Sequence, residues 1–191
     1  MDKNIELTDG EITLRPYQER DIPLLYEAAR ESISEVYKWI PFCHPDYSIE
    51  ESRAWIIQRP SEWEKGTSYD FAITDSVSGH YIGGCGVDRI KPDWGGANLG
   101  YWIRTSRTGK GAATATALLL AQFAFNELKL NRVELIISVD NSASLRVAEK
   151  AGAVKEGILR NGLIVGGIPN DAVMYSLIPR DLKREIPQGR S

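Results

Sequence analysis

The stretch Leu99–Thr116, LGYWIRTSRTGKGAATAT, constrains the fold of this chain more than any other. Leu99, Tyr101 and Ile103 alternate along it as in a β-strand, and a basic glycine loop follows. A long run from Gly109 to Leu128 then carries Leu118, Ala121, Phe125 and Leu128 at helical spacing. That helix opens on small residues: Gly111, Ala112, Ala113 and Thr114. The first turn of a helix has unpaired N–H groups and the positive end of the dipole, so phosphate oxygens can be held there. Glycine and alanine let a pyrophosphate approach the backbone, and Arg104, Arg107 and Lys110 add positive charge. The same residues also suit a tight strand-to-helix turn with alanines packed under a sheet, and Gly-Lys-Gly alone leaves both readings open. Neither G-x-x-x-x-G-K-[ST] nor G-x-G-x-x-G occurs, since Thr114 stands where a third glycine would be, and this disfavours ATP and NAD.

At 191 residues the chain can bury a sizeable core without metal or disulfide staples, and 42% hydrophobic residues exclude extended disorder. The 23 Lys+Arg against 26 Asp+Glu, with no long basic run, argue against direct nucleic-acid binding. Cys43 and Cys85 are far apart and outside any C-x-x-C pattern, so neither a disulfide framework nor a zinc site is expected, and a reducing cytoplasm fits. Met1–Leu14 lacks an apolar signal core, and Thr114, Thr116 and Gln122 interrupt the longest apolar stretch. Neither export nor a membrane span is expected.

The remaining elements follow from pattern. Ile12 and Leu14 predict a strand ending at Pro16, and Asp21 caps a helix with Pro23 in its first turn. WIPFCHPDY, Trp39–Tyr47, reads as a loop, after which Ser48 and Glu51 resemble a capping box for a helix running to Pro60. Tyr69, Phe71 and Ile73, a Ser78-Gly79 turn, then Tyr81, Gly83, Cys85 and Val87 form a hairpin. Val133–Val139 alternates as a strand, Asn141 opens a helix stopped by Gly152, and strands follow at Val154–Arg160 and Ala172–Ile178. The order is β-α-α-β-β-β-α-β-α-β-β, read as a single α+β domain over 1–191 with a polar, frayed tail at 180–191.

A second informative segment is Val139–Gly157, VDNSASLRVAEKAGAVKEG. Asn141 suits an N-cap, with Ser142 and Ser144 in the first turn. GYWIRTSRTGKGAAT, ELKLNRVELIISVDNSAS and AEKAGAVKEGILRNG together resemble the GCN5-related N-acetyltransferase superfamily, especially its ribosomal-protein-serine and -alanine N-acetyltransferase branch. The TLRP strand, the WIPF loop and DAVMYSLIPRDL also occur in the expected order. The resemblance implies a mixed, mostly antiparallel central sheet with helices on both faces, split like a V, with acetyl-CoA as co-substrate in the cleft and no metal. Ile103 and Arg104 would lie along the pantetheine, and Thr108, Gly109, Lys110, Gly111, Ala112 and Ala113 would present N–H groups to the pyrophosphate. Thr108 departs from the family loop, which usually has Gln or Arg there. Asn141 would lie near the pantetheine and Ser144 near the acetyl sulfur. A hydroxyl there can assist departure of a thiolate whose parent thiol has a pKa of about 8.5.

Acetyl transfer needs a neutral amine. At pH 7 an α-amino group of pKa about 7.8 is roughly one part in seven neutral, and a lysine of about 10.4 roughly one in 2,500. Candidate bases are His44, Asp88, Asp140 and Asp171. His44 lies in an aromatic loop resembling the acceptor-side loop of the family, although an exposed loop histidine fits the same pattern. Trp39, Phe42, His44 and Tyr47 can form one wall of an acceptor pocket or simply pack the loop onto the sheet. The reading is an acetyl-CoA-dependent N-acetyltransferase in which a primary amine attacks directly, most readily a protein or peptide N-terminus. A small amine (polyamine, amino sugar or aminoacyl conjugate) is the alternative, and a catalytically silent CoA-binding module is the rival outside catalysis. A homodimer is compatible with the family.

Overall fold

Alternation becomes strand and helical spacing becomes helix in the expected order across residues 5–182, the part that this computed structural model describes. The strands are β1 (Leu7–Thr8), β2 (Ile12–Pro16), β3 (Tyr69–Asp75), β4 (Tyr81–Lys91), β5 (Gly96–Ile103), β6 (Arg132–Ser138), β7 (Val154–Val165) and β8 (Ile168–Leu177). The helices are α1 (Ile22–Val36), α2 (Ile49–Lys65), α3 (Ala112–Asn126) and α4 (Ser142–Lys150). β1 is an addition, since two residues are too few to show alternation. Most of the frayed tail expected at 180–191 lies outside the described residues, which end at 182.

The sheet order is β1-β2-β3-β4-β5-β6-β8-β7, antiparallel except between β5 and β6. Ile22, Leu25, Ala28 and Ile56 of α1 and α2 pack on Ala72 and Tyr81 at one face; α3 and α4 cover the other. The α3 helix is buried nearly all round rather than along one stripe: Leu118 is only partly buried, and Leu128 lies past its end. Its Phe123 ring stands edge-on to Phe71 at 5.1 Å and to Tyr69 at 5.7 Å between centroids. Truncating such a fully buried aromatic to alanine costs about 3–5 kcal/mol.

The pairing of β5 with β6 creates the functional geometry. They are joined over three residue pairs, Gly96↔Arg132, Ala97↔Val133 and Asn98↔Glu134, and then part. From Leu99 to Ile103, β5 stays with β4 while β6 continues along β8, so the sheet opens as a V with its apex at Asn98.

Three local expectations meet tertiary forces. Pro60 does not end α2, although it removes one helical hydrogen bond. The turn beyond it is held by Trp63, whose ring meets Tyr69 and Phe71 at 5.1 Å and whose Nε1 donates to the Asp70 carbonyl at 3.3 Å. Left-handed Gly66 closes the helix instead. Asp21 does precede α1, but its carboxylate takes both Arg15 guanidinium nitrogens at 2.7 Å rather than capping the helix. Finally, β7 runs on to Val165 and turns through Gly166 (φ 56°) and Gly167 (φ 81°) into β8. That two-residue Gly-Gly hairpin signal is present in the sequence.

Candidate active site

On the α3 and α4 face the site is built from backbone. The Arg104 N–H donates to the Ile82 carbonyl on β4 at 2.9 Å. By the two-residue period of an antiparallel ladder, the N–H and C=O groups of Tyr101 and Ile103 then face the V, where no strand pairs with them. The loop leaving β5 makes a 3-10 turn over Thr105–Arg107 and reaches α3 through Gly109 (φ 75°) and Gly111 (φ 88°). A Cβ at either glycine would meet no heavy atom within 4 Å, so the left-handed backbone, not crowding, is what calls for glycine. From Gly109 to Ala113, five successive N–H groups find no acceptor among the described residues, and no side chain caps α3. Such a run at a helix start is an anion cradle.

The basic side chains divide differently from the sequence expectation. The Arg104 guanidinium turns to α1, where Nε donates to Glu31 Oε2 at 2.9 Å, and it also meets His80 and the Tyr81 carbonyl. Arg107 pairs with Asp75 at 2.8 Å. Both are drawn away from the cradle by carboxylates distant in sequence, and among the described residues Lys110 has no such partner.

Across the V, Asn141 is the N-cap of α4, its Oδ1 accepting the Ser144 N–H at 3.1 Å. The Ser144 hydroxyl lies beside the phenol of Tyr101 on β5. Burial raises the Tyr101 pKa, and the Ser144 hydroxyl acts in the opposite direction. The Tyr101 oxygen is buried with no hydrogen bond of good geometry to any described residue. A buried hydroxyl in that state is open to a ligand.

On the α1 and α2 face, a cavity of about 360 Å³ opens against the same strand. Gly84, Gly86 and Gly100 form its floor; Tyr17, Phe42, Tyr47, Trp55 and Trp102 form its walls. Gly84 carries no side chain because Tyr17 Oη and Trp102 Nε1 lie over it, 2.3 and 2.8 Å from where a Cβ would be, and Asp70 Oδ1 would be 2.4 Å from one at Gly86. A Cβ at Gly100 would meet nothing within 4 Å, so that floor position faces open space. Three carboxylates line the cavity: Glu51, Asp70 and Asp88. Asp70 is bound by Arg59 at 2.7 Å. Glu51 completes the capping box with Ser48 and takes His44 Nε2 at 2.7 Å; the His44 bond leads in lowering its pKa.

Phe42 and Tyr47 of the aromatic loop line the cavity. His44 is set behind Glu51, its ring edge-on to Tyr47 at 6.0 Å, and Trp39 lies outside, under the Lys38 ammonium at 4.3 Å. Asp140 accepts from Asn170, and Asp171 accepts the Asn161 N–H. Sequence reading did not single out Tyr17, Trp55, Asp70 or Trp102 for the cavity, nor Tyr101 as a partner of Ser144. These residues meet only through sheet register, for which single-sequence pattern has no signal. Neither metal-binding clusters nor helices long and apolar enough to cross a membrane occur among the described residues.

Comparison with known proteins gives this architecture its class. The Acetyltransferase (GNAT) domain family matches residues 11–154. The chain belongs to that family and is an N-acetyltransferase. It is 33% identical to "Putative ribosomal N-acetyltransferase YdaF" of Bacillus subtilis (strain 168) over 91% of this chain and 94% of that protein. Mycobacterium smegmatis RimJ in complex with CoA-disulfide superposes with a TM-score of 0.86 at 23% identity, covering 96% of this chain and 90% of that one. RimL, the ribosomal L7/L12 alpha-N-protein acetyltransferase solved with coenzyme A, gives 0.83 at 21% identity, covering 91% and 98%. At those identities the two structures speak to the fold, which agrees with the mixed, mostly antiparallel sheet and flanking helices.

Proposed function

We propose that this enzyme moves the acetyl group of acetyl-CoA to the N-terminal amine of a protein or peptide by direct attack. Tyr101 carries the reading: its backbone faces the V, its hydroxyl meets Ser144 on the α3 and α4 side, and the same residue borders the cavity that opens on the other side, so donor and acceptor spaces join at one residue. In this reading the unpaired edge at Tyr101 and Ile103 takes the amide groups of the pantetheine arm. The N–H run from Gly109 to Ala113 holds the pyrophosphate, with Lys110 as a cation that has no carboxylate partner among the described residues; contrary to expectation the Thr108 N–H is not a donor to it, being bound to the Thr105 carbonyl at 3.2 Å, and the Arg104 N–H is bound to Ile82. Asn141 shapes the start of α4, and Ser144 supplies the proton that the departing sulfur needs. Phe42 and Tyr47 contact the acceptor, while His44 and Trp39 act from behind the wall. A protein acceptor is supported by the named activities of RimL and YdaF. All of this sits within one domain.

The test is acetyl-CoA-dependent thiol release against peptides beginning with serine or alanine, internal-lysine peptides with blocked N-termini, polyamines and amino sugars. Selective turnover of free N-terminal peptides is expected. Turnover confined to small amines would replace the acceptor class, and acetyl-CoA binding with no turnover of any amine would favour a binding module.

A further inference from the structure

Of the three carboxylates lining the cavity, two are already engaged: Asp70 by Arg59 and Ser68, and Glu51 by His44 and Ser48. Asp88 faces no cation among the described residues. It stands opposite Asn98 in the β4/β5 ladder, and Asn98 Nδ2 donates to its Oδ1 at 2.7 Å, leaving Oδ2 without a partner from the described residues. Asn98 is also the last β5 residue paired with β6, so the Asp88–Asn98 pair marks the apex of the V. Along β4, Asp88 shares a face with Gly86 and Gly84, and Gly100 lies diagonally across, so side-chain-free floor separates the carboxylate from Tyr101. Directly after Asp88 the register slips through a bulge in which Arg89 takes φ 48°, interrupting the pairing until Lys91 meets Gly96. Bulges of this kind re-aim side chains beside sites.

We propose that Asp88 receives the ammonium of the acceptor and takes its proton, with Asn98 as the positioning residue that fixes the carboxylate. This rests on the acetyl-transfer reading. The ammonium gives one proton to Asp88 and becomes the neutral nucleophile. Its lone pair forms the C–N bond, the C–S bond breaks, and the sulfur takes one proton as the free thiol. The proton held by Asp88 passes to water, and the second proton, lost by nitrogen as the intermediate collapses, replaces the one that Ser144 gives to the sulfur. The aromatic walls add an apolar contact for whatever carries the amine, so the preferred acceptor joins a cation to an apolar group. The charged groups around Asp88 are Asp70 with Arg59 from β3 and α2, Glu51 with His44 from α2 and its preceding loop, and Glu134 with Arg132 and Lys91 beyond Asn98. The neighbouring carboxylates are paired, so Asp88 is the one left to meet an incoming cation.

Binding and turnover test this separately. Calorimetry with CoA present would compare phenethylamine, charged at pH 7, with neutral 2-phenylethanol. Asp88→Asn should weaken the amine at least tenfold and leave the alcohol within twofold; equal effects on both probes, or no binding of the amine by the native enzyme, would overturn the assignment. In turnover of the amine that the native enzyme acetylates fastest, Asp88→Asn should lower kcat/KM about a hundredfold at pH 7, the size of a general-base contribution. That deficit should narrow by pH 9 as the amine deprotonates by itself, and a deficit constant with pH would overturn the proton transfer. Asn98→Ala should lower kcat about tenfold with acceptor KM changed less than threefold, because the charge stays while its aim is lost; equal changes in both remove Asn98 from the assignment. Should the native enzyme bind the amine and acetyl-CoA yet release no thiol, acetyl transfer is what fails, while the calorimetry still decides Asp88.

Discussion

The two faces of the split sheet are built by different means. On the α3 and α4 side the pieces are main chain: a bare strand edge at Tyr101 and Ile103, five N–H groups without an acceptor among the described residues, and two glycines whose positive φ aims them. On the α1 and α2 side the pieces are side chains from two helices, three strands and two loops, arranged over a floor of three glycines. A main-chain site depends on φ and on the absence of a Cβ, and it tolerates exchange of most side chains. A side-chain site depends on which residues meet, and it is reshaped by one substitution. In the proposed reading the first arrangement serves the donor and the second the acceptor.

The largest expected effect strikes the main-chain side. Gly111→Glu forces a side chain onto φ 88° and sets a carboxylate at the cradle, so calorimetry should show acetyl-CoA binding weakened at least a hundredfold in a variant with native circular dichroism. Retained binding would break the comparison. Next comes Ser144→Ala, expected to lower kcat about a hundredfold with acetyl-CoA affinity within twofold, since the Asn141 cap uses the backbone N–H of residue 144 rather than its hydroxyl. Unchanged turnover would remove Ser144 from the chemistry.

The cavity side is sharpened by Gly100→Leu, which projects into open space at the floor. Steady-state kinetics should show acceptor KM raised at least tenfold and acetyl-CoA affinity within twofold. Phe42→Ala should raise acceptor KM severalfold and Trp39→Ala less than twofold, because only the first ring lines the cavity. Equal responses would mean that the loop acts by packing alone.

The smallest effect concerns the tie between the faces. Hydrogen bonding from Arg104, then from the Ser106 N–H, holds the Glu31 carboxyl down to about 2 against its ordinary 4.5. A folded-state value below the unfolded one stabilises above about pH 4.5, and the stabilisation is lost as pH falls toward 2. Glu31→Gln should therefore flatten part of the acid limb of Tm against pH over that window. At pH 7 the change should stay within about 2 °C, since Glu31 is largely exposed. An identical acid limb would show that the tie adds nothing to stability.

Legibility in the sequence followed the same division. The β5–loop–α3 unit, the Asn141 cap and the Ser48–Glu51 capping box could all be read, because each is a pattern of neighbours within a few residues in which local backbone hydrogen bonding decides the outcome. The aromatic loop was legible as a candidate wall, yet which of its rings faces the cavity was not: Phe42 turns to Trp102 at 5.5 Å while Trp39 turns to Lys38. The capture of Arg104 by Glu31 and of Arg107 by Asp75, the persistence of α2 beyond Pro60, and the meeting of Tyr101 with Ser144 all join residues far apart in the chain. The sequence by itself determined the elements and the main chain of the β5–loop–α3 unit, since periodicity, caps and glycine conformations are local properties. Only the tertiary structure decided the cavity on the α1 and α2 face and the partner of each charge, since strand register and the V between β5 and β6 set which side chains meet, and neither is encoded in the spacing of neighbours.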